Sequence, residues 1–230
     1  MQQLAEDYPE DQDAALFLAL AHLGASHGGR DVAIYMQAAA IAEEVFAINP
    51  RHPGAAHYLV HSYDDPIHAP LGLRAARVYA DLAPSASHAQ HMPSHIFYAL
   101  GMCPQATQSN IDAYVSDRDR SAERDIALST HGYHAIWWLL YSQLPEGLPA
   151  DPLDTLAQAE QHFISEQSTS LSREIIVLMN VHYAVETGDW QHVFDTPGIA
   201  WDGLDGRSLA AHSYVRIMAA LEDGGIKGAN

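Results

Sequence analysis

Two histidines at i and i+4 on a helix present two imidazole nitrogens on one face, a spacing that lets one helix supply two ligands to a single transition-metal ion. The chain contains this spacing twice, as His57/His61 in HPGAAHYLVH (52–61) and as His91/His95 in HAQHMPSHIF (88–97). His88 adds a third ring three residues before His91. Asp64 follows His57 at i+7, as an oxygen ligand or as an acceptor that orients an imidazole. His57, His61, His91 and His95 form the best quartet of candidate ligands, with His88 and His134 as alternatives. Imidazole suits zinc or copper first, and iron or nickel are also compatible. Because neutral imidazoles bind metal, affinity should fall as the pH drops through about 6.5. The bland reading of any one of these residues is a packed, hydrogen-bonded histidine. The register between the two pairs is what favours a site.

Other chemistry is sparse. There is no nucleophile elbow, phosphate-binding loop or dinucleotide-binding glycine pattern. Ser94 lies beside His91 and His95, but no orienting turn or oxyanion donor accompanies it. A metal-bound water with Asp64 or a spare histidine as base is the more plausible enzymatic reading.

Composition narrows the partners. The 230 residues carry 29 acidic and 11 basic side chains, a formal net charge of −18, which disfavours nucleic acid and other polyanions. The same charge attracts cations or basic peptides. The lone cysteine, Cys103, rules out an internal disulfide or a cysteine-rich metal site and is expected to act as a small, at least half-buried hydrophobe. No apolar run approaches a membrane span and the first residues do not resemble a signal peptide, so a soluble, cytoplasmic protein is expected.

These residues must be positioned by helices. Apolar spacing is helical throughout, no period-2 alternation occurs, and Pro- or Gly-containing breakers separate the runs. Helices are expected near 10–23, 31–48, 54–64, 68–82, 88–100, 103–116, 126–143, 152–166, 172–187 and 208–222. Polar DRDRSAERD (117–125) is expected as a connection. Breakers are expected at 49–54, 64–66, 144–152 and 196–198. A shift of 34 residues superimposes His57 on His91, His61 on His95, Tyr63 on Phe97, Pro50 on Pro84, and Ala38 on Gly72 and then Ala106. Such a period describes helical hairpins that bury their apolar faces only by stacking. The small residues Ala38, Gly72 and Ala106 fall where neighbouring helices must approach closely. An all-α solenoid of about five hairpins follows, forming one repeat domain over 1–230.

The 34-residue period, with small residues early in the second helix and proline at the end, resembles the tetratricopeptide repeat (TPR) family. HPGAAHYLVH followed by HMPSHIF is similar to a bacterial group within it that carries HPGAxHxxxH and HMPSHI motifs, over about residues 8 to 115. The resemblance implies a right-handed superhelix and further hairpins before the matching segment, which would make this chain either a trimmed piece of a longer array or a naturally short version. It also implies that repeat positions 2, 5, 9 and 12 face a concave groove. Gly54, His57, His61 and Asp64 would then share that surface with His88, His91, His95 and Tyr98, and with His131, His134, Trp138, Tyr141 and His182. Two functions compete with the enzymatic one: a binding protein holding a metal in the groove, and a metal-free scaffold gripping a protein or peptide through Tyr98, His131, Trp138, Tyr141 and His182. His22, His27, His52, His68, His162, His192 and His212 lack the register and are expected at the surface or in loops.

Pro93 stands inside an expected helix, where it removes a backbone bond and crowds the carbonyl of Ala89 at about 3 kcal/mol. A break between 89 and 93 that re-aims His88 and His91 relative to His95 is expected.

Overall fold

The computed structural model describes residues 1–26, 28–144, 150–165, 170–195 and 204–222. His27, the 196–198 breaker and most of the 144–152 connection lie outside them. Among the described residues the structure is helical and contains no strand. The chain divides into two compact units, residues 1–113 and 114–230, with the boundary inside one helix.

The first unit holds α1 (Gln2–Asp7), α2 (Gln12–Gly24), α3 (Val32–Ile48), α4 (Pro53–Tyr63), α5 (Ala69–Leu82), α6 (Ser87–His91), α7 (Pro93–Ala99) and the start of α8 (Cys103–Arg124). Local chemistry sets their starts. The Asp11 carboxylate accepts from the backbone N–H groups of Asp13 and Ala14, and Asp31 does the same for Ala33 and Ile34, capping α2 and α3. Pro53 opens α4 at a position where its missing N–H costs nothing. Each helix packs on its neighbours in sequence: α2 on α3, α3 on α4, α4 on α5, and α5 on α6 and α7. The core between them is dominated by small and medium apolar side chains, among them Ala42, Ala55, Ala56, Leu59, Val60, Ala76, Met92 and Ile96.

The small residues do what their positions suggest. Ala38 and Ala106 are fully buried, and a side chain at Gly72 would collide with Ile96 of α7 and Tyr63 of α4. Arg30, in the loop before α3, ties down the far end of α4. Its guanidinium donates to the carbonyls of His61 and Ser62 and to the Asp65 carboxylate, 2.8 Å away. A cation at a helix C-terminus satisfies carbonyls that have no partner within the helix.

The second unit continues α8 and adds α9 (Thr130–Gln143), α10 (Ala150–Ser165), α11 (Ser170–Thr187), α12 (His192–Asp195) and α13 (Gly206–Glu222). Here α9, α10 and α11 pack mutually, and α12 and α13 pack on α11. Polar contacts pin the pairs: Thr155 donates to Gln143 at 2.8 Å and Asn180 to Glu160 at 2.9 Å.

Two expectations fail locally. The polar stretch 117–125 is not a connection, because α8 runs through it to Arg124 and stops where Asp125 turns to a φ of 52°. Its charges are used rather than merely solvated. Asp117 is buried, pairs with Arg120 at 3.1 Å and accepts from the backbone and hydroxyl of Ser129 at 2.8 and 2.9 Å, holding the residue that caps α9. His212 is buried in α13 instead of lying at the surface, and Nε2 of His162 lies 2.8 Å from the Tyr114 hydroxyl. Cys103 is half-buried.

The close approach at Gly72 makes a testable demand. Gly72→Leu should destabilise the protein by about 1–3 kcal/mol through overpacking. Gly24→Ala should be neutral or stabilising, since nothing lies within 4 Å of the added carbon. Urea denaturation of both variants measures the difference.

Candidate metal centre

The histidine pairs meet because α4 and the α6–α7 segment present them to each other. His57 and His61 lie one turn apart on α4, their ring centres separated by 4.7 Å. His88 reaches across from α6, its Nε2 3.2 Å from Nε2 of His57. Ligand nitrogens of His57, His61 and His88 all fall within 4.8 Å of one another. His88, an alternative from sequence, thus completes a triad with the α4 pair. The ribbon continues from His88 to His91, with ring centres 6.5 Å apart, and then to His95.

His91 and His95 form the second set, with Nε2 atoms 3.0 Å apart. Their far nitrogens are committed. Nδ1 of His95 lies 2.9 Å from the Asp64 carboxylate, which only accepts when ionised. Nδ1 of His91 lies 2.6 Å from Oδ1 of the fully buried Asn110, whose amide nitrogen donates to the Ala106 carbonyl and so fixes its orientation. Both imidazoles therefore donate through Nδ1 and, when neutral, turn Nε2 lone pairs toward each other. Two acceptors at that distance repel unless a proton or a metal cation lies between them. Asp64 serves as the orienting acceptor of His95.

The ring nitrogens match one coordination sphere. Two ligands each about 2.0–2.1 Å from a tetrahedral zinc stand about 3.3 Å apart, close to the Nε2 separations in both sets. Imidazoles that hold metal commonly donate their other N–H to a carboxylate or carbonyl oxygen, the arrangement His91 and His95 have.

Burial keeps the α4 pair neutral. His57 stacks on Tyr79 with ring centres 5.1 Å apart and planes 12° from parallel. Desolvation, reinforced by repulsion from His61 and His88, lowers its pKa to about 3. Desolvation also lowers His61 to about 4, with repulsion from His95 and His88 outweighing the Asp64 charge. At neutral pH His57 and His61 are neutral, and each keeps one ring nitrogen with a free proton-accepting lone pair for a metal.

Pro93 breaks the helix, but gently. Met92 separates α6 from α7 yet keeps helical angles, φ −53° and ψ −37°. The His95 N–H bonds to the Met92 carbonyl at 3.3 Å, a tightened turn where Pro93 can offer Ala89 nothing. His91 and His95 still face each other, so the expected re-aiming of His91 does not occur. Ser94 is buried and its hydroxyl finds no partner, a setting without access for a substrate.

The remaining candidates separate by unit. Tyr98 is half-buried in α7 of the first unit. In the second, Trp138, Tyr141 and His182 line one cavity together with His134, Trp137 and Arg207, while His131 is exposed in the first turn of α9. Sequence reasoning missed Asn110, which sits on α8 with no spacing linked to the histidines. It also selected neither Trp137 nor Arg207.

Comparison with protein-family models finds no match, and a search of curated proteins finds none.

The lowered histidine pKa values have a consequence for stability. In the unfolded chain these groups titrate near 6.5, in the folded protein near 3 and 4, so the unfolded state binds more protons between those limits. Their contribution to stability is complete above about pH 6.5 and declines as the pH falls toward 4. The urea midpoint of metal-free protein should drop between pH 7 and pH 5, and His57→Gln should reduce that drop.

Proposed function

We propose that this chain is a TPR-type helical-repeat binding protein whose histidine-lined face holds a divalent transition metal, zinc or copper by ligand type. The observation that carries the reading is the facing pair of Nε2 atoms in His91 and His95, with both far nitrogens tied to oxygen acceptors. The triad of His57, His61 and His88 lies alongside and extends the ligand set. A net charge of −18 raises the local concentration of cations around such a face. The repeat assignment is supported by the 34-residue register of the two histidine pairs and by the serial packing of α2 to α7. If two or three of these imidazoles held the metal, a further donor from a partner or substrate could complete its coordination sphere. That is the link between metal binding and either protein recognition or hydrolytic chemistry.

Metal content of protein purified without an affinity tag tests the reading. Stoichiometric zinc or copper is expected, removable by chelation. The double variants His91→Ala/His95→Ala and His57→Ala/His61→Ala should each retain less of it. Metal-free protein whose melting temperature does not change on adding zinc or copper would leave the histidines as packing residues of a peptide-binding scaffold.

The pH profile offers a second check. In the His91→Ala/His95→Ala variant, which keeps the α4 pair, residual affinity should weaken as the pH falls toward the folded-state values of His61 and His57, about 4 and about 3. A steep loss centred on 6.5 in that variant would show that His57 and His61 do not hold the ion.

A further inference from the structure

We propose that the second unit carries a small-molecule site, in the cavity between α9, α11 and the first turn of α13, whose ligand is an arylalkyl carboxylate. The cavity measures about 420 Å³ and is lined by His134, Trp137, Trp138, Tyr141, His182 and Arg207. Pockets for small organic ligands commonly span about 300–1,000 Å³, with mostly apolar walls and a few directed polar groups.

The walls suit a planar ring. Trp138 and Tyr141 stand 6.1 Å apart at 78°, and His134 lies 5.9 Å from Trp138 at 59°, so faces and edges both border the space. Such rings receive another aromatic group by stacking or edge-to-face contact.

The polar groups select for negative charge. Trp137 donates its indole N–H to Nδ1 of His182 at 2.9 Å. That bond fixes the neutral imidazole as the tautomer with hydrogen on Nε2, so the remaining nitrogen of this lining residue is a donor. Burial, the largest influence, holds the His182 pKa below its ordinary value; Arg207 acts in the same direction and Glu186 opposes them.

Arg207 is exposed and lies 5.9 Å from the centre of the Trp137 ring, and none of the six lining residues is a carboxylate. Asp205 stands near Arg207 but caps α13, accepting from the Ser208 N–H at 2.7 Å. An aromatic box would otherwise welcome an ammonium group. Here Arg207 already supplies the positive charge, so a cationic ligand meets repulsion and a carboxylate meets a guanidinium with several donors.

Isothermal titration of the full chain with phenylacetate, benzylamine and cyclohexylacetate tests this. Phenylacetate should bind saturably, with benzylamine and cyclohexylacetate each weaker by about ten-fold or more. Arg207→Gln, an exposed change checked for unaltered helicity by circular dichroism, should weaken phenylacetate by about ten-fold. Absence of phenylacetate binding up to about 10 mM, benzylamine binding as tightly, or an unaffected Arg207→Gln variant would each overturn the proposal.

Discussion

Gly72 sets the spacing on which the histidine face depends. It sits where α5 touches both α4 and α7, against Tyr63 on one and Ile96 on the other, with no room for a side chain. Helices that pack this closely bring side chains from neighbouring segments within bonding reach. With α4 and α6–α7 drawn against α5, His57 and His88 reach hydrogen-bond distance across the gap. Arg30 then secures the C-terminal end of α4, next to His61 and Asp64, so the rings inherit the rigidity of the backbone beneath them.

The second determinant is the way the far nitrogens are used. A neutral imidazole has one N–H and one lone pair, so tying Nδ1 to an acceptor decides what Nε2 can do. Asn110 and Asp64 make that decision for His91 and His95. The resulting pair of lone pairs needs a positive species between them, and proton and metal compete for the place. Burial lowers the proton affinity of the adjoining His57 and His61. A metal is favoured where protons are not, because it can accept several lone pairs at once. On the proposed reading, imidazole nitrogens are the donors, and they suit a borderline cation.

Much of this was legible in the sequence. Helical apolar spacing places most of the helices to within a few residues, because the breakers between them are Pro, Gly and Asx residues with local effects. The 34-residue register identifies both histidine pairs and the small residues at the helix contacts. The failures share a cause: they depend on tertiary partners. The stretch 117–125 looks like a solvated linker because its charges have no visible use, yet Asp117 is buried to hold Ser129 and cap the next helix. Asn110 carries no periodic signal, since its importance comes from facing His91 across 19 positions of chain. Pro93 was read correctly as a break, but helical angles at Met92 absorb it without turning His91 away from His95.

Anomalous diffraction from zinc-loaded crystals, recorded on either side of the zinc absorption edge, tests the central claim most directly. An ion is predicted among His57, His61, His88, His91 and His95, with at least two ring nitrogens about 2.0–2.1 Å away and Nδ1 of His91 and His95 still bound to Asn110 and Asp64. An anomalous map with no peak among these rings, and His91 and His95 still in direct contact, would contradict it.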